Sequence, residues 1–205
     1  LPGGEIQVKV WEARAGRTIL YLLDTDIAEN SPQNRRVTSD LYPDDLHVRL
    51  KQEIILGIGG VRALDRLGLE PSIWHINEGY PCLLLIERWC RLIKAGMDFH
   101  AAKTLAAANT VFTTHTPITA GHEVYHHGFL RDYLAPFIGA LGIDERQFME
   151  LGENEHKENF DFTSFSLRCS GYCNGVSRVH RDVAAAMERH VWPDIPVEEN
   201  PMAGV

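Results

Sequence analysis

Ile73-Trp74-His75-Ile76 runs straight into Asn77-Glu78-Gly79, and Val111-Phe112-Thr113-Thr114 runs into His115-Thr116-Pro117. Each is a short apolar or β-branched run closed by polar, turn-forming residues, the pattern of a strand that opens into a loop. Between them lie two helical segments, Pro81 to Lys94 ended by Gly96, and an Ala-rich stretch from Asp98 to Ala108. Strand, helix, helix, strand is the order of an α/β layer with a parallel sheet. Open sheets of that kind bind ligands beyond the carboxyl ends of their strands. The two polar strand ends are therefore where a site is expected, although on spacing alone Asn77 could equally cap the next helix and His115 order a loop.

Outward toward the N-terminus, Glu5 to Arg14 alternates Ile6, Val8 and Val10 with polar residues, a strand period. Thr18 to Leu23 is continuously apolar and reads as a buried strand paired with it. Asp24 to Asp44 carries Ser31-Pro32 and Tyr42-Pro43 and reads as a long loop, a length that usually accompanies function. From Asp45, the residues Leu50, Ile54, Ile58, Val61 and Leu64 share one helical face. Gly57, Gly59 and Gly60 interrupt it, which points to close helix packing or to a break between two helices. Gly57-Ile58-Gly59-Gly60 looks like a phosphate-cradling loop, but it follows a helical pattern and not a strand. Gly68 and Pro71 close this segment ahead of a strand from Ser72 to Ile76. Beyond Thr114, helices are expected at Phe129 to Leu141, Asp144 to Leu151, Thr163 to Cys169 and Ser177 to His190, with a short strand around Tyr172.

Acidic residues outnumber basic ones 28 to 20 in the 205 residues, a net charge of −8. No Lys/Arg cluster breaks that balance, which argues against nucleic acid or an anionic membrane as partner. The longest apolar runs, such as Cys82 to Ile86, are far too short to span a bilayer, and no signal peptide opens the chain. Cys82, Cys90, Cys169 and Cys173 sit among apolar or small residues and read as reduced thiols of a cytoplasmic protein. The chain opens on Leu1-Pro2-Gly3-Gly4 without an initiator Met and stops at Met202-Ala203-Gly204-Val205, so it is expected to be a segment of a longer protein.

His122-Glu123-Val124-Tyr125-His126 is a literal H-E-x-x-H. In a zinc hydrolase, two such histidines lie one helical turn apart and bind the metal beside a general-base Glu. Here no apolar helical face leads in and Gly128 follows two residues later, so the expectation is no metal site.

Several stretches, in order, resemble the short bacterial branch of the α-glucan (glycogen, starch, maltodextrin) phosphorylases. They are Tyr21-Leu22-Leu23-Asp24-Thr25-Asp26 with Glu29-Asn30-Ser31-Pro32, Leu50-Lys51-Gln52-Glu53 with Gly57-Ile58-Gly59-Gly60, and His75-Ile76-Asn77-Glu78-Gly79. Phe112-Thr113-Thr114-His115-Thr116-Pro117 with Ala120-Gly121-His122, and Asn174-Gly175-Val176-Ser177 with His180, complete the set. Each is weak alone; together they cover nearly the whole chain. The resemblance implies a Rossmann-like N-terminal domain, present in part over residues 1–205, of a two-domain GT-B glycosyltransferase. It implies release of glucose 1-phosphate from an α-1,4-glucan or maltodextrin by inorganic phosphate, with pyridoxal phosphate held by a Lys of a second domain that this chain lacks. This segment alone is then expected to be inactive. His115 is expected against the terminal glucosyl unit, with Asn77, Glu78, Tyr80 and Thr116 around the same pocket. Asp44 or Asp45 falls where larger relatives carry a gating loop. Tyr80 stands where the family usually has His. A glucan synthase of the same architecture, using a nucleotide sugar, is the alternative, and assembly as a homo-oligomer stays open.

Overall fold

The computed structural model describes residues 1, 2 and 4–204; Gly3 and Val205, in the terminal stretches noted above, lie outside the described residues. β1 (Lys9–Ala15) and β2 (Thr18–Asp24) form an antiparallel hairpin turned at Gly16, whose φ of +63° is one that glycine adopts freely. The hairpin corrects the expectation for Thr18–Leu23. It is a two-stranded ribbon in which Ile19, Leu20 and Leu22, on both faces of the strand, are 44–51% exposed. Ile6, Val8 and Val10 are half-buried and line an apolar groove with Ile54, Ile55 and Ile58.

The long loop is ordered by its own polar residues. Thr25 and Thr38 pair through their hydroxyls at 2.9 Å, and buried Asn30 binds the Gln7 and Thr25 carbonyls. One 3₁₀ turn, Asn34–Arg36, is its only regular element among the described residues.

α1 (Leu46–Ile54) continues without a break through a π-helical segment, Ile55–Gly59, into α2 (Gly60–Arg66). The glycine cluster belongs to this segment, and the packing reading of the sequence holds for Gly57. A Cβ there would lie 2.8 Å from the Leu84 nitrogen and 2.9 Å from the Leu83 carbonyl carbon, so only glycine lets the two segments meet.

β3 (Trp74–Asn77) is followed by α3 (Leu84–Lys94) and α4 (Phe99–Ala108), which lead back to β4 (Thr110–Thr114) beside it and parallel to it. α3 carries the core: Leu85, Ile86 and Trp89 are fully buried, and Trp89 meets Phe99 and Phe165 edge-on. Arg88 of α3 ties the strand starts together. Its guanidinium donates to Thr110 Oγ1 and Asn109 Oδ1 and lies 4.9 Å from the centre of the Trp74 ring.

After β4 come β5 (Val124–His126), α5 (His127–Ala140), α6 (Glu145–Glu150), β6 (Asn159–Asp161) and α7 (Phe162–Cys169). β7 (Tyr172–Gly175), α8 (Arg178–Met187) and β8 (Ala203–Gly204) finish the fold. The order β3-β4-β7-β8 is parallel throughout, giving the mixed α/β architecture with a parallel sheet that the strand–helix alternation implied. β5 and β6 form a separate antiparallel pair that the sequence did not announce.

Candidate functional site

The carboxyl edge of the sheet is built from three adjacent strand ends. Asn77 pairs in register with Thr113, and Thr113 with Asn174. A row of side-chain hydrogen bonds crosses the same strands, from His75 Nε2 to Thr113 Oγ1 at 2.7 Å and from Thr113 Oγ1 to Asn174 Oδ1 at 2.9 Å. Threonine and asparagine can satisfy neighbours on both sides, which is why a polar row persists in an otherwise apolar sheet.

At this edge the chain brings together Asn77, Glu78 and His115. Glu78 adopts φ +64°, a left-handed backbone that a residue with a Cβ enters at a cost of about 1 kcal/mol. The turn lets its N–H reach the Thr113 carbonyl at 2.9 Å while its carboxylate accepts the backbone N–H of His115. The His115 ring is held by a 2.6 Å contact between Nε2 and Asn77 Oδ1. With the amide oxygen accepting, Nε2 carries the proton and Nδ1 is an acceptor. His115 and Asn77 are both exposed, so this acceptor faces solvent on a rigid strand end. Gly79 follows because the chain then runs against α7: a Cβ there would lie 2.9 Å from the Phe162 Cβ.

The remaining expected residues have other partners. Tyr80 donates its hydroxyl to Gln52 Oε1, and Gln52 in turn donates to the Val37 and Asp40 carbonyls at 2.7 and 2.8 Å. Tyr80 thus connects the end of β3 to the long loop, and burial with nearby carboxylates pushes its phenol up to about 12. Thr116 lies against Gly121, where a Cβ would fall 2.7 Å from its Cγ2. Asp45 caps α1, accepting from the His47 and Val48 N–H groups at 2.8 and 3.4 Å. Gly57-Ile58-Gly59-Gly60 is helical, so it is not a phosphate loop.

The H-E-x-x-H stretch is not a zincin helix. Val124–His126 is a strand, His126 is exposed and caps α5, and Glu123 lies 3.5 Å from the Arg49 guanidinium. Glu123 also neighbours Glu53, which is fully buried and receives the Tyr125 hydroxyl at 2.8 Å. Burial, then the Glu123 charge, push Glu53 up to about 9, so it is neutral at physiological pH. Sequence reading missed Glu53, whose place on the buried face of α1 is the only cue. It also missed Asp161 and Glu188, which flank His122 and have no local cue at all.

No protein-family model matches the chain. It is similar to the maltodextrin phosphorylase of Thermococcus litoralis, with 40% identity over 200 residues, which is 98% of this chain and 24% of that protein. The glycogen phosphorylase of Aquifex aeolicus is 36% identical over 195 residues, 94% of this chain and 28% of its own length. That of Mycobacterium tuberculosis is 36% identical over 213 residues, 98% of this chain and 25% of its own. The chain spans about a quarter of the length of the curated relatives it matches. Over almost its whole length, the chain is therefore related to the α-glucan phosphorylases, corresponding to one segment of such a protein.

Proposed function

We propose that this chain is part of the Rossmann-like N-terminal domain of a two-domain GT-B α-glucan phosphorylase and supplies one wall of its glucosyl pocket. The observation that carries the reading is the joining of Asn77, Glu78 and His115 at the carboxyl edge of a parallel sheet, in a chain related to phosphorylases. In this reading the whole protein, a cytoplasmic enzyme, transfers a terminal glucosyl unit of an α-1,4-glucan to inorganic phosphate.

The chain's own residues orient the sugar. His115 Nδ1 accepts a sugar hydroxyl, because Asn77 holds the ring in the tautomer that leaves that atom unprotonated. The free Asn77 amide hydrogens can donate to a second hydroxyl. Fixing two hydroxyls on rigid strand ends lowers the entropy lost at the transition state. One oxygen of the Glu78 carboxylate accepts the His115 backbone N–H, so its role in this reading is to position that residue.

Pyridoxal phosphate, which the family uses, has no fit among these residues. Of the five lysines, none has a side-chain hydrogen bond or ion pair among the described residues, and none is joined to the Asn77–Glu78–His115 group. The cofactor's lysine then belongs to another part of the protein, and no step through the cofactor is assigned to this chain.

The test is phosphate-dependent formation of glucose 1-phosphate from maltodextrin by the full-length protein, wild type against His115→Ala. Loss of turnover in the variant is expected. Wild-type protein that makes no glucose 1-phosphate, but extends glucan from a nucleotide sugar, would overturn the reading in favour of a synthase.

A further inference from the structure

A second group of polar side chains is buried where the loop after β4, β6 and the end of α8 meet. His122 comes from the loop after β4, Asp161 ends β6 and caps α7, and Glu188 caps the C-terminus of α8. Their side chains are 2%, 5% and 1% exposed. One ligand atom from each lies within 4.8 Å of the others. His122 Nδ1 is 3.1 Å from Asp161 Oδ2 and 3.7 Å from Glu188 Oε1. A tetrahedral site with metal–ligand bonds near 2 Å has edges of about 3.3 Å, so these separations bracket that value.

The hydrogen-bond inventory is incomplete here. Glu188 Oε2 and His122 Nε2 are buried and have no hydrogen-bond partner. Nδ1 can offer only one proton, so the imidazole cannot serve both carboxylates at once. The Nη1 of nearby Arg168 donates to the Leu151 and Glu153 carbonyls and makes no hydrogen bond to Glu188. A divalent cation would bond both carboxylates and the imidazole at once and cancel the charge of both.

We propose that His122, Asp161 and Glu188 bind a divalent ion of the zinc class. One imidazole and two carboxylates suit Zn²⁺, Co²⁺ or Mn²⁺ more than Cu⁺, which prefers sulfur. His190 offers a further nitrogen: its Nε2 is 3.8 Å from Glu188 Oε2 and 2.8 Å from Ser164 Oγ. The ion's role is structural, since the three ligands are enclosed. It would pin together the loop after β4, the start of α7 and the end of α8, three segments far apart in the chain. This site shares only His122 with the H-E-x-x-H pattern and does not depend on the phosphorylase reading.

The experiment uses the full-length protein with any affinity tag removed, stripped by chelator and titrated with Zn²⁺ and Co²⁺. The expected result is one ion per chain, a rise in Tm with Zn²⁺, and visible absorption of four- or five-coordinate Co²⁺. Glu188→Gln, which keeps the side-chain shape, is expected to weaken Zn²⁺ binding at least tenfold, and Asp161→Asn likewise. Wild-type protein with no Co²⁺ absorption and no Zn²⁺-dependent Tm shift would overturn the proposal. Variants that keep wild-type affinity would overturn it too. The Co²⁺ spectrum of the wild type decides even if a variant does not fold.

Discussion

The carboxylate of Glu78 accepts the backbone N–H of His115, so a left-handed residue at the end of β3 fixes the first residue beyond β4. The ring of His115 is held separately, by Asn77. Backbone and ring are thus anchored by two consecutive residues of the neighbouring strand.

Removing the backbone anchor should free His115 without unfolding the sheet. Glu78→Ala is expected to lower turnover of the full-length enzyme by roughly tenfold to a hundredfold, the range expected when a positioned group drifts by about 1 Å. Steady-state kinetics on maltodextrin and phosphate check this. Glu78→Gln, which keeps an acceptor oxygen, should recover part of the loss, whereas a merely structural role would move Tm and leave turnover per folded molecule intact.

His115 and His122 should separate cleanly. His115 is exposed, so His115→Ala is expected to reduce turnover about a hundredfold with little change in Tm. The His122 side chain is enclosed among carboxylates, so His122→Ala is expected to lower Tm first. Thermal melts and initial rates on the same preparations distinguish them; equal losses of turnover at unchanged Tm would mean that the wrong histidine faces the sugar.

Much of this edge was legible in the sequence, because β3 and β4 are short apolar runs whose polar ends lie next to each other once the strands are parallel. The helices were legible too, through their apolar faces, and Asp98 and Ser177, where two were expected to begin, are their N-caps. What escaped was set by tertiary partners. β2 is as apolar as a core strand, yet Ile19, Leu20 and Leu22 are exposed because it belongs to a two-stranded ribbon and not to the central sheet. β5 and β6 are three residues each, too short for any period to register, and their pairing spans a whole helical excursion. Asp161 stands 39 residues from His122, so no spacing rule could connect them.

The buried acid on α1 predicts a pH dependence. Glu53 has a folded pKa of about 9, raised first by burial, against an ordinary value of 4.5. A raised carboxylate contributes its full stability below about 4.5, and that contribution is lost as pH rises through about 9. Stability should therefore fall across this window, with a slope from Glu53 of up to roughly 1 kcal/mol per pH unit. Urea unfolding at several pH values should show a flatter profile for Glu53→Gln; an unchanged slope would mean that Glu53 is ionised in the fold. Glu123 is shifted in the same direction, so some slope should remain in the variant.

Gly57→Ala is expected to destabilise the protein by about 1–3 kcal/mol, because the added methyl meets the Leu83–Leu84 backbone, which cannot rotate away. Gly60→Ala provides the control, since a Cβ there meets nothing within 4 Å. Denaturant midpoints of the two variants test the contrast.

The π-helical segment between α1 and α2 amounts to one residue more than a regular helix would hold in the same span. Each residue advances an α-helix by about 100°, so the segment sets the rotational phase of everything after it. With that phase, Val61 faces inward and Arg62 reaches Glu87 of α3 at 2.8 Å. Excising a single residue from Ile55–Gly59 would restore ideal α-helical hydrogen bonding and yet turn Val61 and Arg62 away from α3. The irregularity thus works as an angular gauge, and a deletion that improves the helix would misalign the layer packed against it.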